Sequence, residues 1–172
     1  MSVTPVDPTV GVVAARVGGE RETLEAFLDF YRGVIVRKVR GVSDEDARRQ
    51  RLPSQTTLAG VLKHLIVVEG NWFQRILAQR QVKVPGPGEP DWSWQLADRD
   101  TVDSLIMEYE QACALSRELA AGFSLDHVVP HEWLGEVSLR WIYVHLIDEV
   151  ARHAGHADIL RELTDGETGA IG

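Results

Sequence analysis

Residues 139–156 read LRWIYVHLIDEVARHAGH. Wound at about 100° per residue, this stretch places His145, Glu149, His153 and His156 within roughly 80° of arc. Trp141, Ile142, Leu146, Ala157 and Leu160 are expected on the inward side of the same helix. Ser138 is a suitable N-cap and Gly166 a suitable terminator. A carboxylate turned inward without a partner costs several kcal/mol, so Glu149 needs compensation. Arg152 is expected towards the outer side of the stripe, away from that role. Residues at i and i+4 stand one above the other on a helix, so Glu149 and His153 can bind one divalent ion together.

A third ligand must come from another helix. Thr57 can cap a helix running to about Gln79, whose Leu58, Val61, Leu62, Leu65, Ile66, Val68, Trp72, Phe73, Ile76 and Leu77 cover more than one face. So wide an apolar arc predicts a central position in a bundle. His64 lies on that helix among Val61, Val68 and Trp72. A lone histidine on an apolar face is ordinarily a satisfied core residue; opposite an inward Glu-His pair it becomes the expected third ligand. Two nitrogens and one oxygen suit zinc, with nickel, iron and manganese as alternatives. Three protein ligands leave a position for water or substrate, the pattern of a catalytic rather than a structural site. His145 and His156 read as outer donors that orient ligands, as pocket lining or as surface residues. His127 and His131 flank Pro130 and read as rim or surface residues.

Two further long helices complete the pattern. Leu24, Phe27, Leu28, Tyr31, Val34 and Ile35 recur at three and four residues from Arg21 onward, and Gly41 ends that run. Thr101 can cap a helix with Val102, Leu105, Ile106, Tyr109, Ala112, Cys113 and Leu119 as its stripe and Gly122 at C′. Cys113 on that stripe reads as a buried small hydrophobe. Ser43 and the acidic residues after it mark a short helix, stopped by Pro53. Residues 1–17 are expected to form an arm on the body, and 167–172 a tail. Residues 123–137 are expected to be irregular. Residues 81–100 form a long loop, with Pro85, Gly86, Pro87, Gly88 and Pro90; its Trp92 and Trp94 pin it to the body or edge a site. The expected fold is all-α, a four-helix bundle with a long crossover loop, and 1–172 is one domain.

Composition narrows the function. The chain has 172 residues and a net charge of −8, which disfavours nucleic acid and anionic membranes as partners. No stretch reaches the roughly 18 apolar residues of a membrane span, and Met1 to Pro8 lacks the basic start of a signal peptide. With Cys113 as the one cysteine, a reducing cytoplasmic location is expected. No phosphate-cradling glycine loop opens a helix, no nucleophile elbow occurs, and no cysteine cluster is present.

The chain resembles the DinB-like superfamily of four-helix metalloproteins, and most closely its mycothiol-dependent branch. The resemblance runs from about Glu20 to Gly166. It is carried by residues 57–65, TLAGVLKHL, and more specifically by 138–141, SLRW, 149–158, EVARHAGHAD, and 163–166, LTDG. Many relatives hold the metal with three histidines; here Glu149 stands at the first position of the helical pair. A His-Glu-His set is similar to the zinc site of mycothiol-dependent maleylpyruvate isomerase, whose second domain is lacking here. A lone metal domain looks more like the mycothiol S-transferases. The resemblance therefore implies metal at His64, Glu149 and His153, mycothiol as a co-substrate, an electrophilic small molecule as its target, and a homodimer as the common assembly. The implied reaction is metal-activated attack of the thiol on the electrophile. The alternatives are a hydrolase using metal-bound water and a non-enzymatic, stress-related bundle with a structural ion.

Overall fold

In a computed structural model of the chain, residues 9–85 and 91–169 are described. Pro5, Pro8, Gly86, Pro87, Gly88 and Pro90 of the expected arm and loop, and 170–172 of the tail, lie outside them. Six α-helices and one hairpin are present among the described residues: α1 (Thr9–Ala14), α2 (Glu20–Val39), α3 (Asp44–Arg48), α4 (Leu58–Glu69), α5 (Val102–Ala121), β1 (Val128–His131), β2 (Gly135–Ser138) and α6 (Leu139–Asp165). The fold is an all-α bundle of α2, α4, α5 and α6. No helix among the described residues is long and apolar enough to cross a membrane.

The helix starts follow from local chemistry. Backbone N–H groups at the start of a helix lack intrahelical acceptors, and side-chain oxygens take their place. Ser43 accepts from Asp46, Thr57 from Gly60 and Ser138 from Trp141, while Thr101 and Ser104 cap each other reciprocally. Each cap contributes about 1 kcal/mol. Gly166 closes α6 with φ of 82°, a left-handed conformation that favours glycine.

Contacts between helices fix their directions. Glu20 meets Arg140, and Tyr143 donates to Glu25, while Lys38 meets Asp158, so α2 and α6 run parallel. Lys63 meets Glu108 and Glu69 meets Cys113, so α4 and α5 also run parallel. Arg40 meets Glu110 and Asp29 meets Arg117, so the two pairs oppose each other. Parallel neighbours cannot be joined by a tight turn, and residues 92–94 lie back against α4 before α5 begins. Leu28, Ile35, Leu62, Leu65, Leu105, Tyr109, Leu139, Ile142 and Leu146 fill the centre with almost no exposure.

Several expectations are corrected. The helix after Thr57 keeps α-type bonding only to Glu69 and continues with π-type geometry over Gly70–Leu77. Its wider turns bury Trp72, Phe73, Ile76 and Leu77 together, and Ala78 N–H bonds to the Phe73 carbonyl at 3.1 Å. Residues 123–137 are not wholly irregular: β1 pairs with β2, with Pro130 opposite Glu136. Both strands of a two-stranded ribbon are edges, where a proline without N–H is tolerated. The helix α3 ends at Arg48, before Pro53. Gly122 keeps right-handed backbone, with φ of −79°. Phe27 is half-exposed, and Arg32 and Lys38 of α2 are buried.

Arg32 is held inside by chemistry. Its Nε and Nη2 donate to the two oxygens of Glu69 at 2.8 and 2.6 Å, and Nη1 donates to Asp29 at 2.9 Å. Burial works against the guanidinium charge; the Glu69 carboxylate reverses that and raises its pKa. Cys113 lies against the same carboxylate, and burial pushes its thiol up. A nucleophilic role for Cys113 is thereby disfavoured, in agreement with its expected place in the core.

Candidate metal centre

The three expected ligands meet. His64 projects from α4, while Glu149 and His153 project one turn apart from antiparallel α6. Glu149 Oε1 lies 3.3 Å from His64 Nε2 and 3.2 Å from His153 Nε2. One donor atom from each side chain lies within 4.8 Å of the others. His153 is buried and the other two are largely so.

The electrostatics of this trio are incomplete. One carboxylate faces two imidazole nitrogens, and the His153 and His64 rings beside it hold the Glu149 carboxyl far below the usual carboxylate range. Arg152, expected to point away, places Nη1 3.4 Å from Glu149 Oε2 while Nη2 holds Asp148 at 2.8 Å. Its side chain is 56% exposed, so solvent screens it and it stabilises the buried carboxylate only weakly. Oε1, the oxygen aimed at both histidines, is left for a shared proton or a cation. Two nitrogens and one oxygen in this arrangement could hold one divalent ion.

The crossover loop adds residues that periodicity could not reveal. Residues Trp92–Trp94 form a single 3-10 turn over α4. Trp94 stacks on His64, with ring centroids 4.3 Å apart and planes 11° from parallel. His64 Nδ1 lies 2.8 Å from the hydroxyl of Ser93. Ser93 in turn donates its hydroxyl and its backbone N–H to Asp91 Oδ1. Trp94 thus both pins the loop and borders the site. On the other side, His156 Nδ1 lies 3.4 Å from His153 Nδ1, which makes it a neighbour of His153 rather than a member of the trio.

A cleft of about 640 Å³ opens beside His64 and Ser93, a size that takes a small molecule. One wall is aromatic. His131 stacks on Trp72 at 5.3 Å, Trp141 stacks on His145 at 5.1 Å, and His145 sets its edge to Trp72 at 4.5 Å. Trp141, expected inward, stands 41% exposed on this wall. Trp133 and Leu134 at the hairpin tip are exposed at the cleft. Arg75 ties that tip down through Glu132 at 3.2 Å. Asn71, Arg75, Lys83 and Asp91 supply polar lining. Burial holds His145 below the ordinary imidazole value. His131 falls on the rim as expected, whereas His127 packs against Phe123 away from the trio.

A helical bundle that gathers two imidazoles and a carboxylate beside a small-molecule cleft carries a candidate metal site. A family model described as Mycothiol-S-transferase matches residues 23–166. The chain belongs to that family. No curated protein matches the chain in sequence.

Proposed function

We propose that the chain is a single-domain, metal- and thiol-dependent transferase of the cytoplasm. His64, Glu149 and His153 would hold one divalent ion, zinc before nickel, iron or manganese, and mycothiol would attack an electrophilic small molecule in the adjoining cleft. The observation that carries this reading is the convergence of three donor atoms within 4.8 Å beside that cleft, in a chain of the mycothiol S-transferase family.

When bound, zinc lowers the pKa of a coordinated thiol so that the sulfur is a thiolate near neutral pH. Glu149 contributes the single negative charge of the trio, which leaves a dication short of neutral and favours an anionic sulfur over a neutral one. His145, held below the ordinary imidazole value by burial, stands on the cleft wall as an acceptor for the thiol proton. The sulfur forms a new S–C bond, the leaving group departs with its electron pair, and the proton passes through His145 to water. Trp72, Trp141 and Trp133 offer ring surface to the apolar part of the electrophile. Asn71, Arg75 and Lys83 offer donors to the polar body of the thiol.

The test is turnover of a chromogenic electrophile with and without mycothiol, before and after chelation. Product formation that requires both thiol and metal is expected. Metal-dependent turnover without thiol would favour hydrolysis instead, and turnover indifferent to chelation would remove the trio from the reaction.

A further inference from the structure

The long crossover loop carries none of the three ligands, yet it grips one of them from two sides. A ligating imidazole needs one nitrogen free of hydrogen, and a hydrogen bond at the other nitrogen decides which one that is. Glu149 alone would make the wrong choice. Its Oε1 faces His64 Nε2 at 3.3 Å, and a carboxylate attracts a proton onto the nitrogen that must be bare. His153 presents the same problem to the same oxygen at 3.2 Å. Something must pull the His64 proton to Nδ1.

Ser93 is placed to do so. Its hydroxyl is 2.8 Å from His64 Nδ1, and the residue is 2% exposed, so water does not compete well for that contact. A serine hydroxyl can either donate or accept, and Asp91 settles the matter. Asp91 is acceptor-only when ionised, and its Oδ1 takes both the Ser93 hydroxyl proton and the Ser93 N–H. The hydroxyl, having donated to Asp91, turns a lone pair to His64 and accepts from Nδ1–H. Trp94, stacked on the ring at 4.3 Å, fixes the plane in which Nε2 points.

We propose that Asp91 and Ser93 are positioning residues that hold His64 as the Nδ1–H tautomer and so set the metal affinity of the centre from the loop. This rests on His64, Glu149 and His153 being the ligands. The polarised chain Asp91–Ser93–His64 also raises the electron-donating power of Nε2, as a carboxylate does for a ligating histidine directly.

The test is zinc affinity by competition with a chromogenic chelator, with cobalt-substituted protein giving a visible spectrum that reports ligand geometry. Ser93→Ala removes the acceptor and is expected to weaken zinc by about 10–100-fold, with a shifted cobalt band. Ser93→Thr keeps the hydroxyl and should recover most of the affinity. Asp91→Ala, which leaves the hydroxyl free to turn, should fall between them. The melting temperature of the metal-free protein serves as the control, because a role confined to packing would move it and leave chelator competition unchanged. Wild-type affinity and an unaltered cobalt band in Ser93→Ala would overturn the inference while leaving the metal site intact. A wild-type chain that takes up neither ion would instead overturn the ligand assignment, and the positioning role with it.

Discussion

The bundle buries two carboxylates on the inner faces of its helices, and it treats them in opposite ways. Glu69 meets the guanidinium of Arg32 at 2.8 and 2.6 Å, charge against charge, with both side chains at most 5% exposed. Glu149 meets two imidazoles that carry no obligatory charge, and its one cationic neighbour, Arg152, is more than half exposed. The first cluster is electrically closed; the second is open and borders a cleft. The contrast teaches that inward polarity alone does not mark a ligand site. What singles out the trio is a set of lone pairs that converge with only one solvent-exposed cation of the protein's own, Arg152, beside them.

Breaking the closed pair should produce the largest effect. Glu69→Ala leaves the Arg32 charge buried with only Asp29 in reach, and loss of one partner of such a pair costs about 3–5 kcal/mol. A melting temperature roughly 10 °C lower is expected, with zinc content unchanged. A variant melting within a degree or two of wild type would show that Arg32 finds water, and that the pair is not the closed unit described.

The open cluster should respond to ligand rather than to deletion. Zinc at a hundred times its dissociation constant raises stability by about 2.7 kcal/mol through mass action. Wild type and His131→Ala should both show that gain in thermal melts, whereas Glu149→Ala should show little of it. An equal gain in the Glu149 and His131 variants would remove Glu149 from the ligand set.

A smaller effect separates the two regions by pH. Burial pushes the Cys113 thiol and the Tyr109 hydroxyl up, next to Glu69. The folded chain therefore keeps protons that the unfolded chain releases. That contribution is fully present below the ordinary thiol value of 9.0 and is lost as pH rises above it. Denaturant melts should show about 1 kcal/mol less stability at pH 10 than at pH 8 from Cys113, and Cys113→Ala should flatten the slope. A thiol that reacts with iodoacetamide in the folded state as fast as in denaturant would contradict its burial.

The smallest effect belongs to Arg152. Its bridges to Asp148 and Glu149 lie on the exposed rim, so Arg152→Ala should change stability by about 0.5 kcal/mol or less. A loss of several kcal/mol would mean that Arg152, and not a metal, compensates Glu149.

What could be read from the sequence follows from how far apart the interacting residues lie. The caps at Thr57, Thr101 and Ser138 and the terminator Gly166 are local and appear where expected; the periodic stripes hold except at Phe27 and Trp141, which stand exposed. Glu149 and His153 were legible because four residues on one helix make a fixed geometry, and His64 because it stands out on an apolar face. The Arg32–Glu69 pair joins residues 37 apart in sequence, and nothing in either helix announces it. Ser93 and Asp91 sit in a loop without period, so only the folded chain shows that they reach His64. The hairpin did leave a trace, in Val128, Val129, Val137 and Gly135, but Pro130 masked it by reading as a breaker.

Elemental analysis of the purified protein beside His64→Ala tests the metal centre most directly. About one zinc or other divalent ion per chain is expected in the wild type, and its loss is expected in the variant. A wild-type chain without metal, even after reconstitution, would mean that His64, Glu149 and His153 form a polar network closed by protons alone, and the transferase reading would fall with the ion.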